Sequence, residues 1–430
     1  MKGSSALLLA LLPCLGACGK RHHGPPSPVM IRDITLPSTN VVEILSLSPL
    51  PSRPAQPTNQ DADNPVAAQL GQELFFDTRF SANGEVSCAT CHQPANEWTD
   101  GKALSVGLEQ VKRNAPSLWN VAYQRWYFWD GRKDSLWSQA LGPIEHPSEM
   151  GGSRFRAYRL IRDTPAYLKA YESVFGMLPA LSGRTGVVDA RPVPDNPQDA
   201  MHKAWVSFPA LDRTAVDRVF SHIGKAIEAF QRQLISTDAP FDHFVAALRA
   251  GDAEGMGKLS DAVLRGMKIF TGKGQCTLCH GGPNFTDNEF HNIGLNRGGR
   301  SLDQGRFPAI EQVRKDPFNG KGIHSDNPSM EANKSLHYVA PKDNNLGEFK
   351  TPSLRNVTGT GPYMHDGRFH SLREVVVFYS TLPDTPAVGH REESLQPLHL
   401  DAREIDDLVA FLTSLTGRPL EADLLKPPEP

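Results

Sequence analysis

Four cysteines of this chain fall into two identical patterns. Cys88, Cys91 and His92 form one CxxCH motif, and Cys276, Cys279 and His280 form a second. Two thiols on one helical turn can add to the two vinyl groups of a haem, and the adjacent histidine then reaches the iron. Zinc would need a second pair of ligands near each motif, and none flanks them. A redox dithiol would want a strand–helix setting. Helix-spaced apolar sets precede both motifs instead: Leu70, Leu74 and Phe75 before the first, Leu264, Met267 and Phe270 before the second. The residues therefore point to two covalent c-type haems.

The other two cysteines, Cys14 and Cys18, lie in the N-terminal apolar stretch, so no thiol remains for a structural disulfide. Lys2 followed by the short apolar run Ala6 to Leu12 reads as a signal peptide, too short to span a bilayer. Leu15-Gly16-Ala17-Cys18 looks like a bacterial lipoprotein box, with Cys18 lipidated at the mature N-terminus. The alternative is an ordinary cleavage site with Cys18 discarded. Gly19, in place of Asp, favours an outer-membrane destination in a Gram-negative source. The expected location is periplasmic, with the membrane met only through the anchor on Cys18.

The 430 residues suffice for two domains with linkers. With 39% hydrophobic and 22% charged residues the chain reads as soluble and globular, and a net charge of −3 gives nothing for nucleic acid to bind. The 35 prolines and 36 glycines predict many loops between short helices. LGQELFF before CATCH and LRGMKIF before CTLCH suggest duplicated units. Further helices are expected at 216–234, 371–379 and 401–415, the last opened by an Asp401/Glu404 capping box and closed by Gly417. No sustained strand alternation appears. The expected fold is all-α: two cytochrome c-like domains, each with one covalent c-type haem. The expected division is a signal peptide over 1–17, a flexible tether over 18–64, a first haem domain over 65–250 with a loop-rich insertion at 179–209, a second haem domain over 251–420, and a tail over 421–430.

Five stretches carry a resemblance: LFFDTRFSANGEVSCATCH, RNAPSLWNVAYQRWYFWDGR, SQALGPIEHPSEMG, IFTGKGQCTLCHGGPNFTD and FKTPSLRNVTGTGPYMHDGRFHSLREVVVFY. From about Asn64 to Thr416 the chain resembles the bacterial di-haem cytochrome c peroxidases and their MauG-like relatives. The resemblance implies a place for Trp129 between the haems. It implies that Gln139 and Glu149 line the pocket over the first haem, with Glu149 moving a proton between the two peroxide oxygens. It matches Asn114 and the carbonyls of Thr360 and Pro362 to an inter-haem Ca²⁺ site, whose all-oxygen ligation suits that cation. It places His365 near the second haem.

Two departures from the family matter. Many members carry a histidine that blocks the first iron until the second haem is reduced; here that segment reads Ser105-Val106-Gly107-Leu108, and leucine cannot ligate iron. The first haem is therefore expected to be open without reductive activation. Fourteen residues beyond His365, where the peroxidases usually have Met, stands Tyr379, the MauG-like pattern. A phenolate ligand favours the oxidised iron. Met330 and Met364 are the rival ligands. Without the resemblance, Trp129 and Tyr379 would read as core packing and Glu149 as a solvated carboxylate.

The leading expectation is a peroxidase that reduces hydrogen peroxide to water at the first haem, with electrons relayed from the second through Trp129. A small cytochrome or copper protein would supply them. A second reading keeps the peroxide chemistry but has the two haems oxidise residues of a partner protein through a high-valent di-haem state. A third, of another class, is a non-catalytic di-haem electron-transfer cytochrome, against which Leu108 and Glu149 argue.

Overall fold

A computed structural model describes residues 26–183, 186–295 and 302–428; the signal segment with Cys14 and Cys18 lies outside them. The described chain is mostly helical. Its sheets are two short antiparallel pairs, Val29–Ile31 with Ile34–Leu36 and Phe290–His291 with Phe349–Lys350. No described helix is long and apolar enough to cross a membrane.

Two hydrophobic cores form around the same kind of helix crossing. In the first, the Pro65–Phe76 helix starts on Asn64, whose side chain accepts from the amides of Val66 and Ala67, and it buries Leu70, Leu74 and Phe75. It crosses the Ala210–Gln231 helix so closely that a Cβ on Gly71 would sit 1.8 Å from the Ala226 carbonyl oxygen. In the second, the Asp261–Phe270 helix crosses Ala402–Thr413, and a Cβ on Gly266 would sit 1.9 Å from the Asp407 carbonyl oxygen. At each crossing only glycine leaves room for the backbones to touch. The Asp401/Glu404 capping box is present, but the last helix ends at Thr413, short of Gly417.

The duplication extends past the motifs. Asn120 and Asn356 both take the left-handed conformation before a 3₁₀ turn, Val121–Tyr123 and Val357–Gly359. Tyr127 bridges Lys133 as Tyr363 bridges Phe369. Ser135 and Ser371 then cap the helices Leu136–Glu145 and Leu372–Thr381 through their hydroxyls. Trp129 and His365 thus hold corresponding places in the two halves.

The structure differs from the expected organisation at four segments. The expected tether is packed from Val29 onward: Ile31, Leu36, Val41, Ile44 and Leu47 are all buried in the second core. Each such side chain contributes about 1.5–3 kcal/mol on burial. Residues 48–64 then run along the first core, where Thr58 accepts from Trp137 Nε1 at 3.0 Å and Asn59 donates to Glu228 at 2.7 Å. The Pro240–Ala250 helix, expected in the first domain, puts Phe241, Phe244 and Val245 into the second core. The expected tail packs Leu424 on the first core, and Gln72 Nε2 donates to the carbonyls of Asp423 and Lys426. The insertion at 179–209 also holds a helix, Ala200–Ser207, capped by Asp199.

Candidate active site: two haem-attachment motifs and the residues between them

Each motif closes a single turn. The His92 amide donates to the Cys88 carbonyl at 2.9 Å, and the His280 amide donates to the Cys276 carbonyl at 2.8 Å. The histidine is thereby fixed one turn from the first cysteine. His92 Nδ1 lies 3.1 Å from the Trp98 carbonyl and His280 Nδ1 lies 3.0 Å from the Phe285 carbonyl. A nitrogen facing a carbonyl must carry the proton, so Nε2 of each ring keeps its lone pair for a metal. Burial lowers the pKa of both histidines, which favours the neutral, ligating form. Trp98 and Phe285 present those carbonyls from left-handed conformations, φ 62° and 52°, which side-chain-bearing residues seldom adopt.

All four motif cysteines are free of disulfides. Burial pushes the thiols of Cys88, Cys91 and Cys276 up to about 12. A redox dithiol needs the opposite shift. Buried polar atoms with no hydrogen-bond partner gather at both motifs: Trp98 Nε1 and Ser105 Oγ by the first, Asn284 Nδ2 and Asn288 Oδ1 by the second. Lys350, beside the second motif, is buried, and burial lowers its ammonium pKa to about 8. A buried cation of this kind suits a haem propionate. The residues present therefore fit two covalently held haems.

Over the first motif, the chain after the Leu136–Glu145 helix folds back on its own end. The Met150 amide donates to the Pro143 carbonyl at 3.2 Å and the Gly152 amide to the Ile144 carbonyl at 2.8 Å. This sets Glu149, half-buried, close enough to Cys88 and Cys91 for its charge to add to their upward shift. Gln139 sits half-buried on the same helix. The Ser105–Leu108 segment lies against Glu149: the Leu108 amide donates to the Glu149 carbonyl at 2.9 Å, and a Cβ on Gly107 would meet that oxygen at 2.4 Å. Leu108 itself packs on the first core. His146, passed over in the sequence, stands beside the carboxylate, with Nδ1 3.6 Å from Glu149 Oε1.

At the second motif, Tyr379 projects from the Leu372–Thr381 helix. Burial, with Cys279 and Cys276 adding, raises its phenol well above the ordinary tyrosine value, which places the ring against the CxxC pair. Its hydroxyl has no hydrogen-bond partner among the described residues. Met330 is 51% exposed in a loop, a poor position for an iron ligand. Met364 occupies a left-handed position, φ 73°, next to His365.

Trp129 lies between the halves. Its Nε1 donates to the Asn114 carbonyl at 2.9 Å, and its own carbonyl accepts from the Lys350 amide at 2.8 Å. His365, buried, stacks on Phe349 with centroids 3.6 Å apart, and Arg113 covers that ring at 5.3 Å. Arg113 is held by Asp303 and Asp130 at 2.8 and 2.5 Å. The Asn114 amide donates to the His365 carbonyl at 2.8 Å, so Asn114 adjoins the strap that carries Thr360 and Pro362. One further group had no sequence signal beyond its Asp287 spacing. His291 lies between two carboxylates, Nε2 2.8 Å from Asp287 and Nδ1 2.8 Å from Glu392. Hydrogen bonding to Asp287, with Cys279 and Glu392 adding, pushes its pKa up to about 11, so the imidazole is held protonated between the two carboxylates.

The profile of the di-haem cytochrome c peroxidase family matches residues 65–250. The methylamine utilization protein MauG of Methylorubrum extorquens is 33% identical over 361 residues, 83% of this chain and 79% of that protein. The cytochrome-c peroxidase IdrP1 of Denitromonas iodatirespirans is 34% identical over 372 residues, 85% of this chain and 86% of that one. The crystal structure of a MauG-like protein associated with microbial copper homeostasis superposes with a TM-score of 0.61 at 25% identity, covering 88% of this chain and 98% of that one. Paired haem-attachment sites in a duplicated helical frame, together with likeness along most of both relatives, make this chain a member of the di-haem cytochrome c peroxidase and MauG family of oxidoreductases.

Proposed function

We propose that this enzyme reduces hydrogen peroxide to water at the first haem, within a first cytochrome c-like domain, and draws electrons through Trp129 from the second haem in the other. The observation that carries the reading is Glu149 beside Cys88 and Cys91 while Leu108, which cannot ligate iron, packs against the first core. Each haem, when bound, supplies an iron that exchanges electrons, and the first also binds peroxide.

The protein's part is proton placement and wiring. Glu149 takes the proton from one peroxide oxygen and gives it to the other, so that the departing oxygen leaves as water. Gln139, on the helix that precedes Glu149, orients the peroxide. Two electrons and two protons complete the reduction to two waters. His92 and His280 would hold the irons through Nε2. Trp129, tied to Asn114 and to Lys350, gives electrons a fixed aromatic bridge. Asn114 with the carbonyls of Thr360 and Pro362 would hold a Ca²⁺. Export and a lipid anchor on Cys18 put the enzyme in the periplasm, where a small cytochrome or copper protein is its electron donor.

A second reading is favoured by one residue. Tyr379, its phenol against Cys276 and Cys279 without a hydrogen-bond partner, supports a tyrosine ligand on the second iron. Such a ligand suits an enzyme that uses peroxide to oxidise a partner protein. Stopped-flow spectroscopy of the resting holoenzyme with peroxide, with and without reduced small cytochrome, tests both. Rapid cytochrome-dependent turnover supports the first. A long-lived peroxide-oxidised state that ignores the cytochrome supports the second, and inertness to peroxide overturns both.

A further inference from the structure

A cavity of about 620 Å³ opens between the Ala210–Gln231 helix, the chain at Pro179–Ser182 and the loop around His324, and none of its lining residues belongs to either haem motif. Its size is that of a small-molecule site. Its walls differ in kind. Leu211 and Ile323 form an apolar rim, 83% and 86% exposed. Arg218, Lys225, His222 and His324 form a polar floor.

The two carboxylates on the wall are already satisfied. Asp212 accepts from the amides of Ser182 and Gly183 at 3.1 and 2.9 Å. Asp326 accepts from Lys225 Nζ at 2.6 Å and from the Gln60 amide at 2.8 Å. No carboxylate among the described residues pairs with Arg218, which is exposed at the cavity. The histidines are held in place: the Tyr171 hydroxyl lies 2.8 Å from His222 Nδ1, Phe175 stacks on the same ring at 4.4 Å, and Phe318 stacks on His324 at 5.1 Å. Burial, with Lys225 adding, lowers His222 to about 3 and His324 to about 4. With Lys225 paired to Asp326 and both imidazoles neutral, Arg218 is the lining cation left without a carboxylate partner among the described residues.

We propose that this cavity binds a small organic monocarboxylate, with its carboxylate on Arg218 and the two histidines and its hydrocarbon against Leu211 and Ile323. A planar guanidinium is suited to a carboxylate, and a single uncommitted cation matches a single negative charge. An inorganic oxyanion would leave the apolar rim uncovered, whereas a ligand that carries hydrocarbon would cover it. A metal ion fits less well: the converging ligand group among the described residues is Cys279, Asp287 and His291, away from this cavity.

Titration calorimetry of the full-length holoenzyme with hexanoate tests the assignment, with acetate, hexanol and inorganic phosphate as comparison probes. Hexanoate is expected to bind more tightly than each of the three. Arg218→Gln should weaken it at least tenfold, as loss of a charge-assisted hydrogen bond does. The pair Leu211→Ser and Ile323→Ser should bring hexanoate down to the level of acetate. All three positions are exposed, so unchanged haem spectra and melting temperature will show that the variants fold. No heat with hexanoate, equal affinity for phosphate or acetate, or undiminished binding by Arg218→Gln would each overturn the proposal.

Discussion

Trp129 and His365 stand edge to face, their ring centroids 6.5 Å apart. They are the same position of a duplicated strap: a left-handed residue precedes each, Phe128 and Met364, and Asp-Gly-Arg follows each. Asn114 joins them, its carbonyl accepting from Trp129 Nε1 and its amide donating to the His365 carbonyl. The two halves thus meet through matched residues that have taken different identities, an indole on the first strap and an imidazole on the second.

The motif geometry leads to the first prediction. Both haems should survive denaturation and acid–acetone extraction, because thioethers do not dissociate. Mass spectrometry of protein matured with a working attachment system should show two haem additions. A single addition would mean that one CxxCH turn is not used.

Leu108 packs against the first core with its amide on the Glu149 carbonyl. The fully oxidised enzyme should therefore react with peroxide without prior reduction. Stopped-flow mixing should show no lag. A lag removed only by pre-reducing the second haem would identify another blocking residue, with His146 the first to test.

Glu149→Gln keeps the size of the side chain and removes its acid–base function. Loss of one general acid–base group costs about 10²–10⁴-fold. Peroxide cleavage should slow on that scale while both haem spectra stay nearly unchanged. Wild-type rates in the variant would remove Glu149 from the mechanism.

Tyr379→Phe deletes one oxygen and leaves the ring. If the phenol ligates, the second haem's spectrum should change and the peroxide-oxidised state should decay faster. The wild-type enzyme should also turn over small reduced cytochromes poorly beside a Met-ligated relative. An unchanged spectrum together with fast cytochrome turnover would return attention to Met364.

Ile44 tests the N-terminal segment. It is fully buried in the second core. Ile44→Ala should cost about 2–5 kcal/mol, as large-to-small core changes do, and thermal melting should register it. Surface substitutions usually stay within about 0.5 kcal/mol, so a shift that small would mean the segment is a tether after all.

What the sequence revealed and what it hid follow from distance along the chain. The CxxCH turns, the helices around Leu70 and Leu264, and the Asp401 cap are local, and local patterns are legible. Roles for Glu149, Trp129 and Tyr379 are implied only by their spacing in a known family. The packed character of residues 29–64 was hidden because its elements are short and broken by proline, and its partners lie far off; Arg32 donates to the carbonyl of Leu259. The signal that was there is Val41, Ile44 and Leu47, three apolar residues at helical spacing after Ser38. His291 was hidden for the same reason: Asp287 is one turn away, but Glu392 is 101 residues on.

The ends of the chain cross over. Residues 29–47 lie in the core built by the second half, and residues 420–426 lie on the core built by the first. A chain synthesised from its N-terminus therefore carries its opening hairpin and helix without a surface to rest on until the Pro240–Ala250 and Asp261–Phe270 helices arrive. Both cysteine pairs emerge before either core is complete, which leaves them accessible to the attachment machinery while the chain is still open. Cutting the gene between the halves would yield two fragments, each with an exposed apolar seam and each holding a piece that belongs to the other.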